Sequence, residues 1–489
     1  MNELARANAK AHLRRALGQP RASRQIDIVD PLQDRDVRSA RSRARLEVAP
    51  WIIEIGSAVA PRCLERATVT IERGSDHVRV RIAEDLVGWI ADHLGLAFDG
   101  VRDDLGRPIG GPSADWGRPW VDLVTTSLRL SIRAVASALG ARWAELEPWP
   151  GGRPYALTLS HDIDSLYERE PFALVHNLVS VRSPERDMLR SRNVALRRLT
   201  RSVLRPIDPL RSIGRLLAVE SELSIIATYF VLLDDRWSRH GARYELGQPA
   251  VRDMLAMVLA AGHEVGLHTG VSYFRDREAL AGWAGRLRAT GASVESSRGH
   301  YLCFEPESGP SMLAAAGIHN DATYGLSHST GYRAGTGMPF ALGEEASSVV
   351  EVPLGLMDVA LFGEGGDPFS RAMRMLDDVR GANGLLSVLW HNSYAARPEY
   401  AHVEDLACRL LQQAHADGAW MASTAQVRNW FDDRDATEVR LSPTGFVATA
   451  RGTHPVAMRV TEGSGTRTVV LEPGATEEIA IDSWSGART

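Results

Sequence analysis

The stretch Tyr155-Ala156-Leu157-Thr158-Leu159-Ser160-His161-Asp162-Ile163-Asp164 runs an apolar segment directly into paired carboxylates. Tyr155 to Ser160 fits a short strand buried on both faces. Charged side chains at the C-terminal end of such a strand are where barrel enzymes place their chemistry. Just upstream, Glu147-Pro148-Trp149-Pro150-Gly151-Gly152 is a Pro/Gly breaker and marks a domain boundary.

Downstream, strand and helix patterns alternate. Strands are predicted over 224–232, 264–268, 297–304, 348–353 and 384–391, with helices over 250–261, 277–290, 311–317, 368–380 and 400–417. This βα alternation predicts a parallel sheet or barrel with helices outside. The arginine-dense segment 182–215 reads as a helical excursion with a solvated face.

The flanks differ in character. Residues 1–48 form an Arg-rich arm, helical or loosely ordered. Residues 49–150 read as a small α+β domain, with strand patterns at 67–71 and 77–82 and amphipathic helices at 86–94 and 123–139. The α/β body spans 151–434. From 435 to 489, short strand patterns between turns predict a small all-β module.

With 489 residues, 44% hydrophobic and 24% charged, the chain has room for a large core and more than one domain. A net charge of -5 does not suggest a nucleic-acid partner. Nearly all the basic residues are arginine, Lys10 being the only lysine. Cys63, Cys303 and Cys408 are far apart and form no C-x-x-C pair, which argues against a disulfide framework or zinc knuckle. The first 21 residues lack a signal-peptide core, and no segment reaches the ~18 apolar residues of a membrane span. A soluble, cytoplasmic protein is expected.

Five polar clusters follow apolar runs. They are Ser160 to Asp164, Gly262-His263-Glu264-Val265-Gly266-Leu267-His268-Thr269, Arg298-Gly299-His300-Tyr301, the region Asn320 to Gly335, and Leu389-Trp390-His391-Asn392. A lone strand-end His is more often structural than functional. Five such clusters in order are hard to explain as accident.

Their order and residue types resemble the polysaccharide deacetylase family of NodB homology, over roughly residues 150–430. Asp162-Ile163-Asp164 resembles that family's first motif, Gly262 to Thr269 its second, Arg298 the start of its third, and Val388-Leu389-Trp390-His391 its last. The resemblance implies an α/β fold, a distorted (β/α) barrel of NodB type, between the N-terminal α+β domain and the C-terminal β module. It also implies a divalent metal ion, zinc first, in the barrel mouth, and hydrolysis of an acetyl group on a carbohydrate or sugar derivative. By position, Asp162 is the general base, Asp164 and His268 are metal ligands, Arg298 orients the base, and His391 is the general acid.

The residue chemistry agrees. Carboxylates two apart on an extended strand point the same way, so one can hold a cation while the other stays free. Carboxylate and imidazole suit zinc and similar ions, which acidify water and polarise a carbonyl. Carboxylate and imidazole then move the protons. Arg298 would keep Asp162 ionised. His263 is expected to brace its loop.

One position departs from the pattern. The second His usual in motif two is replaced by Ser272. His300 could supply the third ligand, as could an inward His161, or the site could bind metal weakly. His300 lies in the right motif, whereas alternation puts His161 opposite Asp162. Asp358 could hold the tautomer of His391 or simply start a helix. Tyr301, Arg333 and Trp390 are expected substrate contacts, because they lie in or beside loops at the barrel mouth. A cyclic imide or ureide hydrolase of the same fold, or a non-catalytic sugar-binding module, would share many of these features.

Overall fold

A computed structural model describes residues 3–19, 26–29, 51–58, 69–73, 78–99, 101–108, 117–166, 193–194, 196–197, 199–200, 209–233, 241–242, 244–271, 276–343, 349–462 and 465–481. Ser272 and most of 182–215 lie outside these residues.

The N-terminal sheet holds β1 (Ile26–Val29), β2 (Trp51–Ala58), β3 (Val69–Arg73) and β4 (Val78–Glu84) in the order β1-β2-β4-β3. The helices Glu3–Ala16, Leu86–Leu94 and Trp120–Leu139 accompany it. Alternating burial along β4 shows one face turned to the core, as its Val-Arg-Val-Arg-Ile pattern requires. The helix Glu3–Ala16 is packed in place, with Ala9, His12 and Leu13 buried and Arg6 paired with Asp85 at 2.8 Å. After it, β5 (Trp143–Leu146) leaves this unit and pairs with the C-terminal module.

The central sheet contains β6 (Ala156–Ile163), β7 (Thr228–Leu233), β8 (Glu264–Thr269), β9 (Ser296–Gly299), β10 (Asn320–Asp321), β11 (Phe340–Leu342), β12 (Val349–Glu351), β13 (Leu356–Met357), β14 (Leu385–Leu389) and β15 (Trp420–Ala422). Its order is β11-β12-β10-β9-β8-β7-β6-β14-β13, with β15 also on β6. Only the β11–β12 pair is antiparallel. β6 and β14 are buried at every residue, as expected for parallel strands covered on both faces.

The segment 349–357 curls this sheet back on itself. Its first half pairs with β10, and Val352 and Leu354 donate to the carbonyls of Asp321 and Tyr324. Its second half turns to β14, where Gly355 donates to Ser387 and β13 continues the ladder. A single stretch of chain thus ties the two flanks of the sheet together, and the strand ends converge on one mouth. The chain is an α/β protein with a curled, mostly parallel sheet and additional small sheets.

The C-terminal strands are β16 (Glu438–Leu441), β17 (Gly445–Thr449), β18 (Val456–Glu462), β19 (Gly465–Leu471) and β20 (Thr476–Ala480). They make two antiparallel sheets, β16-β17-β20 and β19-β18-β5. Trp149, Trp430, Phe446 and Met458 share one buried apolar cluster, so this module packs against the end of the α/β body. Among the described residues, no helix is long and apolar enough to cross a membrane.

Candidate metal centre and active site

Strand register gathers the polar residues. His268 on β8 stands opposite Leu232 on β7 and Arg298 on β9. The β6–β7 ladder ends at Ile163 opposite Val231, so Asp164 lies one step on, level with Leu232 and His268. Alternation places the side chain of Asp162 on the same side as Asp164.

The centre of the cluster is a set of facing lone pairs. His268 Nδ1 lies 2.9 Å from the carbonyl oxygen of Arg298, which can only accept, so Nδ1 carries the hydrogen. In neutral His268 the lone pair is then on Nε2. That atom faces Asp164 Oδ1 at 3.3 Å and Asp162 Oδ2 at 3.5 Å. His300 Nε2 faces the same Asp164 Oδ1 at 3.7 Å. Asp164 Oδ1 is itself buried and receives no hydrogen bond. Such an arrangement needs a positive charge in its middle, supplied by a proton or a metal ion.

The donor set fits a divalent ion. Ligand atoms of Asp164, His268 and His300 all lie within 4.8 Å of one another. Two bonds of about 2.0–2.2 Å span up to about 4.4 Å, which the 3.3 and 3.7 Å separations satisfy. Burial pushes the His300 imidazole down to about 4, despite the attraction of Asp164, so it is neutral and able to ligate at pH 7. Burial alone would raise the Asp164 carboxyl, but His300, His268 and His391 hold it well below the usual range. Burial opposes charge on His268, yet Asp162 and Asp164 together raise its pKa.

Asp162 is 3% exposed and is held by Arg298, whose guanidinium donates to Asp162 Oδ1 at 3.1 Å and to Ser160 Oγ at 2.7 Å. Its Nε donates to the Ala322 carbonyl at 2.9 Å, and the group lies over the Phe230 ring, 4.5 Å from the centroid. Gly266 makes room for that ring, since a Cβ there would stand 2.7 Å from two Phe230 carbons. Gly266 thus serves the placement of Arg298.

His391 follows the end of β14. Its Nδ1 lies 2.7 Å from Asp358 Oδ1, and its backbone N–H donates to Asp358 Oδ2 at 2.6 Å. Burial disfavours its charge, but Asp358, with help from Asp164 and Asp162, raises it to about 10. His391 is therefore an imidazolium at neutral pH, with Nε2 4.0 Å from Asp164 Oδ2. Asp358 also begins the helix Asp358–Gly363, so both sequence readings of it hold.

The three expected substrate contacts separate. Tyr301 is 45% exposed and stacks on His300 with centroids 4.1 Å apart, so it borders the cluster. Trp390 is buried and lines a cavity with Leu159, His161 and Leu216 on the helix side of β6. Arg333 is also buried; it donates to Asp99 at 2.6 Å and to the Gly106 carbonyl at 2.7 Å. The structure thus ties Arg333 to the N-terminal unit and turns Trp390 into the core. Their sequence neighbourhood was Gly-rich or polar, but the burial that claims them comes from distant segments.

His161 turns away from the carboxylates, as alternation requires. Its Nδ1 lies 2.7 Å from the Trp390 carbonyl and its Nε2 2.7 Å from Glu220 Oε1. Glu220 Oε2 also accepts from Tyr229 at 2.8 Å and lies 3.1 Å from His263 Nε2. His263 Nδ1 accepts from Ala227 N–H at 3.1 Å, so its Nε2 carries the hydrogen and it braces the loop as expected. Glu220 lies near the end of the helix Pro209–Glu222. Its only sequence signal is a carboxylate among residues that pack inward.

No protein-family model matches the chain, and no curated protein does. Among solved structures, it is similar to a "putative polysaccharide deacetylase from Mycobacterium smegmatis", with 19% identity and a TM-score of 0.39 over 58% of this chain and 91% of that one. It also overlaps the YdjI aldolase of Escherichia coli K12, with 10% identity and a TM-score of 0.21 over 42% and 84%. Both likenesses are distant, and the functional reading rests on this chain's own side chains.

Proposed function

We propose that this chain is a cytoplasmic, metal-dependent hydrolase of polysaccharide deacetylase type, with a distorted (β/α) barrel of NodB type as its core. It removes an acetyl group, N-acetyl in preference to O-acetyl, from a carbohydrate or sugar derivative. The observation that carries this reading is the Asp164 Oδ1 acceptor, buried without a donor between the Nε2 atoms of His268 and His300.

Asp164, His268 and His300 would hold the ion, with zinc suited to two imidazoles and a carboxylate. When bound, such an ion supplies Lewis acidity at the acyl carbonyl and lowers the pKa of water. Asp162, oriented by Arg298, takes the proton of the attacking water. His391 enters as an imidazolium and gives its Nε2 proton to the departing nitrogen, releasing acetate and a free amine. Tyr301 offers an exposed aromatic face beside His300 for a sugar ring.

The test combines metal analysis with turnover. Wild type is expected to hold about one divalent ion per chain and to release acetate from an N-acetylated sugar. Asp162→Asn should keep the ion and lose at least ~100-fold in turnover. A wild-type chain that takes up no divalent ion at neutral pH overturns the reading.

A further inference from the structure

We propose that the N-terminal unit is an internal brace for His300, clamping the loop that carries this ligand through the turn 101–108. The inference rests on the reading of Asp164, His268 and His300 as a metal site.

His300 does not stand on a strand. It opens the short 3-10 turn His300–Leu302, in which Tyr301 and Leu302 both have φ of 57°. Two consecutive non-glycine residues in the left-handed region are strained, and such backbone persists only where its surroundings over-determine it. One end of the loop is held by the α/β body. Gly299 N–H donates to Thr323 Oγ1 at 2.8 Å, and Thr323 Oγ1 donates to Asp321 Oδ1 at 3.0 Å.

The other end is held from outside. Phe304 N–H points to the Leu105 carbonyl at 3.4 Å, and Gly106 packs so closely that a Cβ would stand 2.2 Å from Phe304 O. Gly106 has φ of +76°, so the turn needs glycine for its backbone as well as for this approach. Asp103 Oδ1 shapes the turn by accepting from Leu105 N–H at 3.0 Å and Arg107 N–H at 2.9 Å. Arg333 fastens it to the body, binding the Gly106 carbonyl and Asp99 together. A ligand on a strained loop is thus pinned from both sides, and one of those sides belongs to the N-terminal unit.

The test uses the full chain, with zinc alone as probe and its affinity read by competition with a chromophoric chelator. Gly106→Ala is expected to weaken zinc at least tenfold, and His300→Ala to cost much less in that background than in wild type. Gly106→Asn repeats the test with a residue that tolerates the left-handed turn but still sets a Cβ against Phe304. Hydrogen exchange at the Cys303 and Phe304 amides supplies a metal-free readout and should quicken in both variants. Unchanged zinc affinity in the glycine variants, or losses that simply add, overturns the brace and leaves the metal site standing. No zinc uptake by wild type overturns the metal reading, and unchanged exchange then overturns the brace on its own.

Discussion

His391 Nδ1 and Asp358 Oδ1 lie 2.7 Å apart, and this pair sets the charge of the imidazole nearest the open side of Asp164. The folded pKa of His391 is raised to about 10. The stability this pair contributes is therefore fully present below the unfolded value of about 6.5 and is lost as pH rises through about 10. Asp358→Asn removes the chief raising influence and leaves burial less opposed. The basic limb of the pH–rate profile should move to lower pH by more than one unit, with the imidazole NMR titration moving alongside. A basic limb that stays in place would remove His391 from the general-acid role.

Arg298 holds Asp162 through Nη1, which also donates to Ser160 Oγ, while its Nε donates to the Ala322 carbonyl and its plane lies over Phe230, a set of contacts that a lysine cannot reproduce. Arg298→Lys should keep the fold and the bound ion while turnover falls by roughly 100-fold. Paired kinetics and metal analysis check this. Loss of the ion together with turnover would instead make Arg298 a support for His268, whose Nδ1 faces the Arg298 carbonyl.

His161 and Glu220 are each 1% exposed and form a buried pair behind β6. His161→Phe leaves Glu220 short of a partner and should cost about 3–5 kcal/mol in urea unfolding. The double variant His161→Phe/Glu220→Leu should recover part of that loss. Equal destabilisation in both chains would show that packing, rather than charge, sets the cost.

Asp122 joins the N-terminal helix Trp120–Leu139 to the loop near Thr336, accepting from Thr336 Oγ1 and from Gly337 N–H. Burial raises its carboxyl from 3.8 to about 7. A raised carboxyl binds a proton in the folded state that the unfolded state has released, so its contribution falls as pH rises from about 4 to about 7. Asp122→Asn should flatten that part of the stability–pH curve. Melting temperatures of both chains across this window decide it, and parallel curves would count against the assignment.

Much of the site could be read before the fold was known, because the polar residues follow runs of unmistakable strand character. The stretch from Tyr155 to Asp164 and the segment Gly262 to Thr269 show this most clearly. His263 was also legible as a brace, whereas Asp358 was open between a partner of His391 and a helix start. Glu220 was not, since nothing in a helical pattern shows which carboxylate will meet an imidazole on another strand. Trp390 and Arg333 misled for a related reason: an aromatic beside a catalytic-type His, and an arginine among glycines, look like substrate contacts until distant chain buries them.

By itself, the sequence determined which residues stand at strand ends and on which side of each strand they point. Period-two alternation and apolar runs are local properties, and they sufficed to set Asp162 and Asp164 on one side and His161 on the other. Only the tertiary structure decided which strand ends meet. It set His300, on a strained loop, against Asp164 and His268, and it paired His391 with Asp358. It also drew Arg333 away to Asp99. These outcomes depend on parallel register and on packing between segments far apart in the chain, which no local pattern encodes.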